Sequence, residues 1–395
     1  MLNPRRLSAA LALTAAASLT LAAGSAAAHE PWRASRSVAL DHWRGFADDF
    51  SSAVFVQTDN PAGNAIAVYD RSFDGTLSPA GTYATGGNGG VLQGSVVDHL
   101  ASQDSLVYDP QVRELFAVNA GSNTVSVFSV DGDRLALRQV IGSGGSFPAS
   151  IAVHGDLVYV LNATGGGSIA GFRLEDGALS PIPGSTRQLA LNTAASPTQF
   201  VDTPGDIAFT PDGRDLVVTT KASGSAIDVF PVNWQGLPAD QPVVNSEPGT
   251  VPFALAFQPR GQVVVGEAGT NAVQSFTLNY DGTLTPGSQV ATGGAATCWL
   301  VADGPLLFAG NAASATESSV LDWPLGTLSL TATTSTDGGT VDAAPTADGR
   351  FLYVQTGAAG IVDEFRVGFG GTLTQIGSVT VPNAAGGEGI ATSGF

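Results

Sequence analysis

Asp206-Ile207-Ala208-Phe209-Thr210-Pro211-Asp212-Gly213-Arg214-Asp215-Leu216-Val217-Val218-Thr219 reads as a short strand, a Pro-Asp-Gly turn and a second short strand. Apolar and β-branched residues on both sides of an Asp-Gly pair signal a hairpin, because glycine takes the positive φ that a tight turn needs. The same vocabulary returns along the chain. The second strand recurs as AVFV from Ala53, LFAV from Leu115, LVYV from Leu157, VVVG from Val263, LLFA from Leu306 and FLYV from Phe351. Phe55, Phe116, Tyr159, Val217, Val264, Phe308 and Tyr353 hold equivalent places, 43 to 61 residues apart. Repetition on this scale marks stacked units, none of which buries its apolar face alone.

Beyond each second strand come a polar Gly/Asn loop, a third strand, a DGTL-like turn and a fourth strand. The turns read Asp74-Gly75-Thr76-Leu77, Asp176-Gly177-Ala178-Leu179 and Asp281-Gly282-Thr283-Leu284, with weaker copies at Gly326-Thr327-Leu328 and Gly370-Gly371-Thr372-Leu373. First strands read SLVYDP from Ser105, SIAVH from Ser150, ALAFQP from Ala254, CWLVADG from Cys298 and AAPTADG from Ala343. No such strand precedes Phe55, and the missing copy is GIATSGF from Gly389. The pattern predicts an all-β, seven-bladed β-propeller over residues 51–395, with four-stranded blades and the C-terminal strand completing the first blade. A linear solenoid would leave the first unit a strand short and the final strand unpaired.

Residues 1–28 read as a signal peptide: Arg5 and Arg6 form a charged start, Leu7 to Ala23 an apolar stretch, and Ser25-Ala26-Ala27-Ala28 a small-residue cleavage site. Residues 29–50 then form a polar, Trp-containing leader, and the expected location is secreted or periplasmic. The rest of the chain holds no run long and apolar enough for stable membrane insertion. A formal charge of −18 opposes binding to nucleic acid, whose recognition leans on Lys and Arg. The single cysteine, Cys298, has no intramolecular disulfide partner and reads as a small buried hydrophobe. A monomer is the default expectation.

In a four-stranded blade the start of the first strand and the end of the second share one face, bordering the central channel. First-strand starts place Asp104, Asp206, Asp342 and Glu388 there, and second-strand ends give Thr58, Asn119, Asn162, Thr220, Glu267, Asn311 and Thr356. The next position adds Asp59 and Lys221. Asn and Thr in such a column suit turn hydrogen bonding. The carboxylates of Asp59, Asp104, Asp342 and Glu388 either crowd one channel mouth, where a cation or cationic ligand would answer them, or face separate solvated loops. His154 falls at the opposite end of its strand and reads as packing. Asp131-Gly132-Asp133 reads as a turn, because it lacks the remaining ligands of a calcium loop. The connection Ser185 to Thr203 reads as either a lid or tolerated surface variation. HExxH, Walker-type and nucleophile-elbow patterns are absent.

The run Phe209-Thr210-Pro211-Asp212-Gly213-Arg214, the YVxN-like strands and the DGTLSP-like turns together resemble the lactonase family of seven-bladed propellers, over roughly residues 51–395. That family resembles phosphogluconolactonases and fungal carboxymuconate-lactonizing enzymes. The resemblance implies Arg and His at first-strand starts, in PRH or PH patterns, and a Glu in a VNE-like motif. Here the corresponding starts read Pro148-Ala149-Ser150, Pro204-Gly205-Asp206 and Pro252-Phe253-Ala254, and Glu267 falls on the motif's Asn while Ala268 takes the place of its Glu. If chemistry survives, it opens or closes a small sugar or muconate-type lactone. Glu267 would then position water or carry a proton, Asp206 assist, and Lys221 stabilise oxyanion charge, with no organic cofactor. The alternative is a non-catalytic propeller that binds a small molecule or cell-envelope ligand, or a scaffold whose acidic channel holds a metal.

Overall fold

The computed structural model describes residues 52–194, 199–258, 261–324 and 326–394. The expected signal peptide and leader, residues 1–50, lie outside the described residues. Seven antiparallel sheets follow one another along the chain. Blade one pairs Ile390–Thr392, Ala53–Gln57, Ala65–Arg71 and Leu77–Ala84 in that order. Blade two runs Leu106–Asp109, Glu114–Asn119, Thr124–Asp131 and Arg134–Gly142; blade three runs Pro148–His154, Leu157–Asn162, Ser168–Glu175 and Ala178–Pro181, with Arg187–Gln188 added at the side. Blade four comprises Asp206–Phe209, Asp215–Thr219, Ala226–Pro231 and Val243–Ser246, and blade five Pro252–Gln258, Gln262–Glu267, Ala272–Leu278 and Leu284–Ala291. Blade six comprises Thr297–Asp303, Leu306–Asn311, Thr316–Asp322 and Leu328–Ser335, and blade seven Thr340–Pro345, Phe351–Thr356, Ile361–Val367 and Leu373–Thr380.

First strands of neighbouring blades touch all the way round, including blade seven with the Ile390–Thr392 strand. That strand pairs Thr392 with Val54, Ala391 with Phe55 and Ile390 with Val56, so the C-terminal segment closes the ring as the repeat count requires. Second strands are apolar almost throughout because both their faces are covered. Phe55, Phe116, Tyr159, Phe308 and Tyr353 are fully or almost fully buried. Seven apolar clusters fill the clefts between neighbouring blades, such as Val54, Val56, Phe351, Tyr353 and Ile390 between blades seven and one. Fourth strands are mostly exposed, with half-buried residues alternating along their second halves, as an outer edge facing water allows.

The DGTL turns also join blades. Gly75 has φ +96°, and a Cβ there would run into the Phe351 ring of blade seven. Tyr353 Oη donates to Gly75 O at 2.8 Å, and Tyr159 Oη repeats the contact with Gly236 O of blade four at 2.6 Å. The Asn/Thr column is structural: Thr58 and Thr220 accept the N–H groups of Ala65 and Ala226, while Asn119 and Asn311 donate to Ser126 and Ser318. His154 lies against the Phe209 ring, its centroid 5.6 Å away, at the face away from the first-strand starts.

Candidate functional site

Antiparallel pairing fixes two faces. First-strand starts and second-to-third loops form the upper face; the remaining turns form the lower. On the upper face the connection between blades one and two turns inward. Residues 97–104 cross the channel mouth and bond to blades on opposite sides of it. Ser102 Oγ donates to Ala149 O of blade three at 2.9 Å and to Glu388 Oε1 at 3.1 Å, while Trp299 Nε1 of blade six donates to Ser102 O at 2.6 Å. Gln103 exchanges two 2.8 Å bonds with the backbone of Leu300, and its N–H donates to Gly205 O at 3.1 Å. His99 N–H reaches Gly386 O at 2.8 Å. A Cβ at Gly357 would collide with the Val97 carbonyl, so the segment sits hard against blade seven.

Lys221 is fully buried beneath this plug. Its ammonium donates to Ala101 O at 2.5 Å, Phe200 O at 2.6 Å and Thr203 Oγ1 at 3.0 Å, and stands 5.0 Å from the centre of the Phe253 ring. Burial lowers its pKa to about 8, against the opposing pull of Asp98 and Glu388. Asp98 and Glu388 are buried side by side, and burial raises both carboxyls. Asp98 Oδ2 has no conventional donor among the described residues. Two carboxylates in contact away from water cannot both ionise, and a proton held between them supplies the missing donor.

Beside the plug, above blades five and six, lies a cavity of about 280 Å³. Its walls are Val96, Val97, Phe200, Phe253 and Trp299, and Asp98 contributes the one carboxyl. Phe253 and Trp299 pack with ring centroids 5.0 Å apart. Cys298 lines the same cavity, but burial pushes its thiol to about 12, so it is no nucleophile near neutrality. Among the described residues, no group of three or more His, Cys, Asp or Glu side chains is placed to hold a metal ion.

The family profile described as "Lactonase, 7-bladed beta-propeller" matches residues 88–385. This chain belongs to the lactonase family. No curated protein matches the sequence of this lactonase-family propeller significantly. Among solved structures, it resembles a Bacteroides fragilis protein provisionally assigned as a 6-phosphogluconolactonase, at 21% identity and a TM-score of 0.70 over 87% of this chain and 98% of that one. It also resembles the Pseudomonas aeruginosa periplasmic gluconolactonase PpgL, at 19% identity and a TM-score of 0.68 over 87% and 98% of the two chains. A Lactobacillus plantarum protein matches at 19% identity and a TM-score of 0.70, over 87% and 99%. At such identities the likeness speaks for the fold.

Asp206, Asp342 and Asp59 of this lactonase-family ring are held by its framework rather than by solvated loops. Asp206 Oδ1 accepts Ser150 Oγ of blade three at 3.1 Å and its Oδ2 accepts Leu255 N–H of blade five at 2.9 Å, tying three blades together. Asp342 accepts Ala343 N–H at 2.9 Å and Ile390 N–H at 3.2 Å, joining blades seven and one. Asp59 accepts the Gln57 amide at 2.5 Å and Glu388 N–H at 2.8 Å. Burial raises Asp206 to about 6 and Asp342 to about 7, and it lifts Asp59 and the partly exposed Asp104 well above the usual range.

Glu267 stands apart. Its carboxylate accepts Thr270 Oγ1 at 2.7 Å and Gln289 Nε2 at 2.8 Å within blade five, and burial raises its pKa. The structure therefore groups Lys221 with Asp98 and Glu388, brings Asp104, Asp206 and Asp342 close enough that the Asp206 charge raises the other two, and leaves Glu267 with its own blade. Sequence reasoning missed Asp98, Trp299 and the plug. The available signal was the apolar content of the connection, with Val96, Val97, Leu100 and Ala101 in what would otherwise be a solvated loop. The Ser185–Thr203 connection supplies Phe200 and Val201 to the cavity wall.

Proposed function

We propose that this lactonase-family propeller binds a small, uncharged molecule with an apolar body in the cavity beside the 97–104 plug. The observation carrying this reading is the cavity itself, about 280 Å³ walled by Val96, Val97, Phe200, Phe253 and Trp299. Apolar walls with a few polar groups suit such ligands. A phosphorylated sugar lactone or a muconolactone carboxylate is a poor match. It would meet Asp98 and find no free cation, because Lys221 is engaged by Ala101, Phe200 and Thr203.

Lactone opening is the second reading, favoured by family membership. In it Glu267, Asp206 and Lys221 carry the chemistry, and their separate surroundings weigh against joint action. Export to the periplasm or exterior is part of the proposal. It rests on the amino-terminal signal pattern and on the periplasmic location stated of the P. aeruginosa protein.

Calorimetric titration with δ-decalactone, an uncharged apolar lactone, and with glucono-δ-lactone tests the two readings together with a pH-indicator assay. The expected result is binding of δ-decalactone without turnover, weakened at least about tenfold by the cavity-filling Ala268→Leu. Turnover of either lactone above the spontaneous rate, abolished by Glu267→Gln, would establish the lactonase reading instead. No binding and no turnover would sink both.

A further inference from the structure

Five of the turns joining third to fourth strands carry an exposed aromatic residue. Phe73, Trp234, Tyr280 and Phe369 are 86%, 91%, 100% and 101% exposed, close to the limit for a side chain on a free peptide, and Trp323 is 66% exposed. Their blades are one, four, five, six and seven, which are consecutive around the ring. The equivalent turns of blades two and three carry Asp131 and Asp133, and Glu175 and Asp176. Scattered exposed apolar residues need no explanation. Recurrence at one structural position, across one unbroken arc of the lower face, is a pattern that a binding surface accounts for.

The tips are pre-organised. Ser72 Oγ and Thr76 N–H both donate to Asp74 Oδ1, at 2.6 and 3.2 Å. Asn233 Oδ1 accepts Gln235 and Leu237 N–H groups at 2.9 and 3.0 Å, Asp281 Oδ1 accepts Thr283 N–H at 3.1 Å, and Asp322 Oδ1 accepts Gly326 N–H at 2.6 Å. Rings held on fixed turns lose little freedom on binding.

We propose that this lower-face arc docks on a neutral, hydroxyl-rich polysaccharide. Each ring stands on its own hairpin, so the arc offers a row of separate platforms. An aromatic face accepts the C–H side of a sugar ring. Beside the rings, the exposed Asp74 and Asp281 keep Oδ2 atoms without a partner among the described residues, and Asn233 and Gln235 are also exposed, so acceptors stand ready for hydroxyl donors. Charge separates this occupant from a lipid surface. The chain carries −18 overall, and on this face Arg113, Arg173, Arg214 and Arg350 already pair with Asp131, Asp156, Asp212 and Asp348. Anionic headgroups would be repelled. Several weak platforms on one rigid ring combine by effective concentration.

The test is co-sedimentation of the exported chain with insoluble β-1,4-glucan, β-1,3-glucan and chitin, alongside phosphatidylcholine vesicles. Retention on at least one polysaccharide is expected, weakened roughly 3- to 10-fold for each ring removed among Trp234→Ala, Tyr280→Ala and Trp323→Ala. Arg134→Ala, on the acidic side of the face, should leave retention unchanged. Should the combined variant fail to fold, the single Tyr280→Ala decides, because its side chain is fully exposed. Failure to bind any of the three polymers overturns the proposal, as does retention insensitive to these substitutions. Vesicle binding without polysaccharide binding would assign the arc to a membrane.

Discussion

Lys221 and Glu317 are both buried charged residues, and their partners separate them. Lys221 has three oxygen acceptors and an aromatic face, so its charge fastens the plug to the ring. Glu317, fully buried on the third strand of blade six, has no hydrogen-bond partner for either oxygen among the described residues. Burial pushes its carboxyl well above the usual range, with Asp342 adding to the rise. A raised folded-state pKa favours the folded protein below the unfolded pKa and loses that contribution as pH climbs through the folded one. Glu317→Met is therefore predicted to stabilise the protein by about 1–3 kcal/mol at pH 8. The gain should shrink at pH 5, because the upward shift favours the uncharged side chain as pH falls. Urea unfolding at both pH values checks this, and destabilisation at pH 8 would show that the carboxyl has a favourable role. Nothing in the sequence distinguished Glu317 from an exposed strand residue, because its proximity to Asp342 of blade seven is set by the ring and not by local pattern. Glu267, by contrast, was visible as a break in the Asn/Thr column, but its partners Thr270 and Gln289 were not.

The blade was the most legible element, since its signal is local. The apolar run Leu216-Val217-Val218 and the Asp-Gly turns set strand order without reference to anything distant, and the pairing of Asp206 with Thr219 follows directly. The plug was not legible, because its identity depends on contacts such as Ser102 with Ala149 and Trp299, far away in sequence. Turn glycines carry both kinds of information. Gly75 looks like ordinary hairpin chemistry, yet it also meets Phe351 of the neighbouring blade. Gly75→Ala is predicted to cost about 2–4 kcal/mol, combining a strained positive φ with overpacking against Phe351. Thermal unfolding reads the loss. A change under about 0.5 kcal/mol would mean that the blade junction yields freely, which dense interiors do not do.

At the scale of the ring, buried acids govern the response to pH. Asp206 and Asp342 are raised to about 6 and about 7, while Asp74 is lowered to about 2 by the hydroxyls of Ser72 and Thr76. The raised groups stabilise the fold fully below about pH 4 and release that contribution as pH climbs to about 7; the lowered group is lost only as pH falls through its own range. The thermal midpoint is accordingly predicted to rise as pH drops from 8 to 5, and self-repulsion in a chain of charge −18 acts in the same direction. A midpoint that falls over that interval would contradict the assignment of these carboxyls to the dry interior. The pairing of Val54–Val56 with Ile390–Thr392 has a consequence in time as well. A chain made amino end first completes six blades while its opening blade still lacks its innermost strand, and the Ser102 segment waits for Glu388 to arrive. Folding here runs retroactively: the Ala53–Gln57 strand, made before the other six blades, gains its inner partner only once Ile390–Thr392 emerges, and that late stretch both shuts the ring and seals its mouth.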